Sequence, residues 1–143
     1  MGELFGPELT SQLRQYLSGL ETPITIEFFP SGDDPASLSV DRMVYALADI
    51  SPQVRIIRHT TPPTPIFPEM PEDLEGPITR ISSMGIATGI RFLGIPAGQE
   101  FGPFLQSLIS VSNQRLPKLL ESTQDYLANI NQSVHLQVFV TPM

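Results

Sequence analysis

The chain has 143 residues, 41% of them hydrophobic, and a formal net charge of −7, which is enough for one domain with a core, or one domain plus a fragment, and too apolar for wholesale disorder. Its eight lysines and arginines are scattered, so the clustered positive field that nucleic acid or an anionic membrane surface requires is missing. There is no cysteine, which removes disulfides, thiolate metal sites and thiol nucleophiles together.

No apolar run approaches the ~20 residues of a membrane-spanning helix. The opening MGELFGPELT lacks the basic and apolar segments of a secretory signal, so a cytoplasmic address is expected. Pro7 suits a first helical position. Leu9, Leu13, Tyr16, Leu17 and Leu20 follow at helical spacing and predict a helix over 7–20. Ile24–Phe29 is β-rich and is closed by Pro30-Ser31-Gly32. The helical period returns at Leu38, Val40, Met43, Val44, Leu47 and Ile50, with Ser37 or Ser39 as the expected cap. Val54–Arg58 is the next strand, and the β-α-β order predicts a parallel pair with a right-handed crossover.

Six of the fifteen prolines lie between Pro62 and Pro77, which biases residues 60–77 to extended backbone and reads as a semi-rigid loop. A ligand for a proline-recognition module is the other reading, although PPTP lacks the flanking charge such ligands carry. Ile78–Ser83 and Gly89–Leu93 are predicted strands around a hairpin loop at Met84–Thr88. Phe101, Phe104, Leu105, Leu108, Ile109 and Val111 predict a helix, and a further one is expected over 116–130. The alternation in Val134–Val140 predicts a half-buried strand.

The two ends of the chain match each other. QYLSGLETPITIEFF (15–29) lies over DYLANINQSVHLQVF (125–139), with Tyr16 on Tyr126, Leu17 on Leu127 and Phe29 on Phe139. This internal repeat predicts one complete unit over residues 1–113, followed by the first helix and strand of a second, truncated unit over residues 114–143.

The run Gly89-Ile90-Arg91-Phe92-Leu93-Gly94-Ile95-Pro96-Ala97-Gly98-Gln99-Glu100-Phe101 and the tail His135-Leu136-Gln137-Val138-Phe139-Val140-Thr141-Pro142 resemble the tandem thioredoxin-fold family. That family includes the protein disulfide oxidoreductases (glutaredoxin-like proteins) and the N-terminal domain of the alkyl hydroperoxide reductase F subunit. The resemblance implies an α/β, thioredoxin-like fold: a four-stranded mixed central sheet flanked by helices, with an extra C-terminal helix and strand. It also implies that a Cys-Pro-x-Cys would begin just after Met143. Shifted back by the repeat, that window becomes Asp34-Pro35-Ala36-Ser37: the proline is kept and both sulfurs are gone. Asp33, Asp34 and Ser37 then read as capping groups rather than a catalytic set, because a carboxylate can sit at a helix N-terminus but cannot attack a disulfide. The family further implies a cis peptide at Gly76-Pro77, beside the window.

No cofactor, metal site or catalytic residue is expected. His59 and His135 flank different strands and read as surface or edge residues rather than ligands. Glu69, Glu72, Asp73 and Glu75 read as a solvated face, with a weak divalent-cation site as a remote second reading. The function expected from the resemblance is a non-catalytic thioredoxin-fold module, docking or scaffolding within a thiol–disulfide or peroxide-reduction system with a protein partner. The alternatives are the N-terminal part of a Cys- or selenocysteine-dependent disulfide oxidoreductase, and a self-associating remnant with an interaction role only. A natural end and a selenocysteine codon read as a stop compete to explain the break, the second accounting for its location, and a cloned fragment is a third reading. The helix and strand over 116–140 carry enough apolar surface to predict a homodimer joined there.

Overall fold

A computed structural model describes residues 4–60, 76–115 and 118–140. The Pro-rich connection from 61 to 75, including its acidic cluster, lies outside the described residues.

Helix α1 (Pro7–Leu17) opens with Pro7 where the missing N–H costs nothing. It stops three residues short of the predicted end, because Ser18 and Gly19 turn the chain toward Pro23. Strand β1 (Ile24–Phe29) has the predicted limits, as do β2 (Val54–Arg58) and β3 (Ile78–Ser83). Between β1 and β2 runs α2 (Pro35–Ile50). It starts before the apolar period begins, since Asp34 rather than Ser37 or Ser39 is its N-cap and Pro35 its first helical residue.

The sheet order is β2-β1-β3-β4, with β1 and β2 parallel and the other pairs antiparallel. Strand β4 (Ile86–Leu93) begins three residues before the predicted start. Met84 and Gly85 both take positive φ, 53° and 79°, which makes the hairpin connection two residues long, as the right-handed twist of the strands favours. The irregularity appears instead inside β4, where Thr88, Gly89 and Ile90 face Ile81 alone and Gly89 at φ 81° absorbs the bulge. Thr88 Oγ1 donates to the Ile81 carbonyl at 2.7 Å across it.

Among the described residues, the helices before Gln114 pack on one face of the sheet. Leu13 and Leu17 of α1 join Val40, Val44 and Leu47 of α2. Phe104, Leu105 and Leu108 come from α3 (Phe101–Asn113), and all lie over Ile24, Ile26, Phe28 and Ile81. Phe104 meets Phe92 edge-on at 5.1 Å between ring centroids, a geometry the ring quadrupoles favour. A polar clasp joins the end of α3 to the turn between α1 and β1. Ser112 and Thr22 exchange hydrogen bonds, the Asn113 side chain accepts from the Glu21 amide and donates to the Gly19 carbonyl, and Arg115 reaches Glu21 at 3.2 Å.

Beyond the clasp the chain departs from expectation. Helix α4 is Glu121–Ala128, shorter than predicted. Residues 134–140 form no strand and are exposed throughout, Phe139 at 86%. A strand needs a hydrogen-bonded neighbour and an amphipathic helix needs a face to bury. Among the described residues no strand pairs with 134–140, and no residue of α4 is buried.

Phe104 is fully buried at the crossing of α3 with the sheet. Phe104→Ala should therefore cost about 3–5 kcal/mol of unfolding free energy, read from the midpoint and slope of a urea titration.

Candidate redox-window site

Strand β1 ends where Pro30, which has no N–H, and Ser31 break the ladder, and Asp34 then starts α2. The first N–H groups of a helix have no internal acceptor and carry the positive end of its dipole. Asp34 answers both. Its Oδ1 accepts from the Ser37 amide at 2.9 Å, and its Oδ2 accepts from Ser37 Oγ at 2.7 Å and Ser31 Oγ at 2.6 Å. The Ser31 hydroxyl, followed by Ser37, holds the carboxyl far below the usual carboxylate range, because three donors favour the ionised form. Ser37 is buried while Asp34 is half-exposed. The Ser37 hydroxyl also accepts from the Ser31 amide at 3.0 Å.

Sheet register brings Pro77 to the same end of the molecule. Phe29, the last residue of β1, pairs with Ile78, the first of β3, which pairs with Leu93. Pro77 is buried, and its carbonyl accepts from the Gly94 amide at 2.8 Å. The expected cis bond is not there: among the described residues every peptide is trans. Trans is the ordinary preference even before proline, and Gly76, at φ 141°, makes the turn into β3 with a conformation open to glycine. Asp34, Pro35, Ala36, Ser37 and Pro77 thus gather at one sheet end, and Asp33 lies beside them in a cleft of about 290 Å³ with Ser31, Gly32, Arg58 and Thr60. Arg58 in that cleft is held by Asp41 at 3.3 Å and lies 5.9 Å over the Phe28 ring. What the window holds is an ionised carboxylate and two hydroxyls that donate to it. That arrangement caps a helix and contains no thiol.

The sequence did not single out Glu27. It lies on the sheet face opposite the helical core and pairs across the strands with Arg80. Arg80 donates to it twice, Nε to Oε2 at 2.8 Å and Nη2 to Oε1 at 2.7 Å, while His59 Nε2 sits 3.0 Å from Oε1. His59 stacks on Phe29 at 4.2 Å, and the Arg80 guanidinium lies 5.3 Å from the same ring. The Arg80 hydrogen bonds lower the Glu27 pKa against the opposing effect of burial. A lone acid inside the apolar run ITIEFF was the available signal, because a carboxylate in a central strand has to find a cation. His59 is thereby a structural partner of Glu27, and His135 lies on the exposed 134–140 stretch.

The strand order, the capped helix after β1 and the turn before β3 define the class: a thioredoxin-like α/β unit. The comparisons agree. The chain is 28% identical over 139 residues to the alkyl hydroperoxide reductase F subunit of Staphylococcus aureus (strain Mu50 / ATCC 700699), covering 96% of itself and 24% of that protein. It is 29% identical over 135 residues to a protein named NADH dehydrogenase from Ferdinandcohnia aciditolerans, covering 94% of itself and 23% of that protein. The chain therefore spans about a quarter of the length of the curated relatives it matches. Among solved structures, it superposes on the alkylhydroperoxide reductase F subunit of Enterococcus faecalis with a TM-score of 0.68 at 21% identity, covering 87% of this chain and 60% of that one. A protein disulfide oxidoreductase from Aeropyrum pernix gives 0.64 at 17% identity, covering 87% and 54%. No family model matches. The chain is thus similar in sequence to part of the alkyl hydroperoxide reductase F subunit and shares the thioredoxin-like fold of these solved structures.

Glu27→Gln should destabilise the protein by about 2–4 kcal/mol at neutral pH, because it leaves Arg80 partly buried without its carboxylate. The folded-state pKa of Glu27 is depressed, so its contribution is full above the unfolded value near 4.3 and is lost as pH falls through the folded one. Thermal unfolding between neutral and strongly acid pH should show a smaller stability loss in the variant than in the parent.

Proposed function

We propose that this chain is a non-catalytic thioredoxin-fold module that docks or scaffolds a protein partner in a thiol–disulfide or peroxide-reduction system. The observation that carries this reading is the content of the window. Asp34 is the N-cap of α2 and Ser37 its third helical residue, the places where a thiol pair at a helix N-terminus would gain its lowered pKa and its resolving partner. With no cysteine anywhere in the chain, the unit keeps a shape and lacks the chemistry. Its likeness over nearly its whole length to part of a peroxide reductase supports the choice of system, and with it a cytoplasmic place of work. Among the described residues no helix is long and apolar enough to cross a membrane.

The test pairs loss with gain. The purified chain should not accelerate reduction of insulin by dithiothreitol. The double variant Asp34→Cys with Ser37→Cys should form an intramolecular disulfide, since an N-cap and a third helical residue fall within the ~4.4–6.8 Å Cα range such a bond spans. Turnover by the parent chain would overturn the non-catalytic reading. A variant that folds and stays reduced under oxidising conditions would show that the window is misplaced.

A second reading rests on a separate observation. Leu120, Tyr126, Leu136, Val138 and Phe139 are all strongly exposed, and each large apolar side chain left in water forgoes roughly 1.5–3 kcal/mol. We assign residues 114–143 to the sequence counterpart of the first unit's opening helix and strand, and residues 116–140 to the contact of a homodimer. Truncation after Arg115 keeps the clasp intact. Light scattering at tens of micromolar should then find a dimer for the full chain and a folded monomer for the truncated one. A monomeric full chain, or a truncated chain that remains dimeric, would remove the tail from the interface.

A further inference from the structure

The tip of the β3–β4 hairpin breaks the ordinary chemistry of its turn. A two-residue connection with positive φ at both positions is the domain of Asn-Gly, Asp-Gly and Gly-Gly. Here the first position is Met84 at φ 53°, a side chain with no local hydrogen bond to repay the left-handed conformation. It is 75% exposed, and Ile86 beside it is 72% exposed. The turn therefore holds a thioether out in solvent at a place where stability alone favours a small polar residue. The other methionine among the described residues, Met43, is 5% exposed within the core of α2.

We propose that the Met84 thioether is a modification site that takes an oxygen atom from hydroperoxides. The sulfur lone pair attacks one peroxide oxygen, the O–O bond breaks and an S–O bond forms. Sulfur loses two electrons, and the peroxide is reduced to the alcohol, or to water from hydrogen peroxide. The proton on the transferred oxygen passes to the departing one. The product is a sulfoxide, polar and reducible by methionine sulfoxide reductases. It converts the hairpin tip from apolar to polar without entering the core, because Met84 lies beyond the last paired residues, Ser83 and Ile86. This chemistry stands apart from the docking role proposed above. Only the cellular source of the peroxide depends on that reading.

The test exposes the full native chain to short pulses of hydrogen peroxide or tert-butyl hydroperoxide and reads each methionine by peptide mass spectrometry. Native Met84 should gain one oxygen roughly tenfold faster than Met43, with the two rates converging when the chain is first unfolded in guanidinium. The oxidised chain should keep its thermal midpoint, methionine sulfoxide reductase should return Met84 to the thioether, and Met84→Leu should abolish that signal alone. Equal native rates, or an unfolding midpoint that falls as Met84 oxidises, would overturn the proposal. Loss of the docking role would leave every one of these readings unchanged.

Discussion

The hydrogen bonds between Asp34 and the start of α2 fix the working end of this protein. A helix of sixteen residues presents orphan amides and a positive dipole end that must meet an acceptor. In a thioredoxin-like oxidoreductase the acceptor is a thiolate, and the stabilisation it receives is what makes it reactive. Here a carboxylate receives the same stabilisation, with two serine hydroxyls adding to it. The result is a carboxylate held in its ionised form at the start of the helix. The helix is thereby fixed where β1 exits into Pro30 and Ser31, and the Ser31 amide and hydroxyl join the same hydrogen-bond cluster.

A second division runs through the sheet. One face is apolar and buries three helices. The other carries Glu27, and the side chains of Arg80 and His59 converge on its carboxylate. Phe29 lets both sides of this arrangement coexist, being a strand residue whose ring stacks against His59 and lies within reach of the Arg80 cation. The Ser112–Thr22 clasp ties the end of α3 to the turn before β1.

Much of this was legible beforehand. The limits of β1 and β3 follow from β-branched-rich runs that each begin after a proline, Pro23 and Pro77, and those of β2 from the run Val54–Arg58 itself. Where the period had to locate an end, it misplaced it. Asp34 and Pro35 start α2 ahead of its first apolar residue, and the early start of β4 depends on two positive φ angles that Met84 does not advertise. The predicted tail strand shows the limit of alternation as a signal, since Val134–Val140 has the pattern of a strand and lacks the neighbour that would make it one. The expected cis bond at Pro77 came from resemblance alone, and Gly76 supplies the turn in another way. His59 and Arg80 are 32 and 53 positions from Glu27 in sequence, so only the register of the sheet could bring them together. The repeat and the resemblance singled out Asp34 and Ser37 without showing the hydrogen bonds that join them.

The measurement closest to the centre of this account is a carbon-13 NMR titration of the Asp34 side-chain carboxyl in the folded chain. Three donors at a helix N-terminus should hold it ionised, with its inflection displaced well below the 3.8 of a free aspartate. A carboxyl that titrates at the ordinary aspartate value while the protein remains folded would contradict the account, because Asp34 would then not be the anion on which α2 is built.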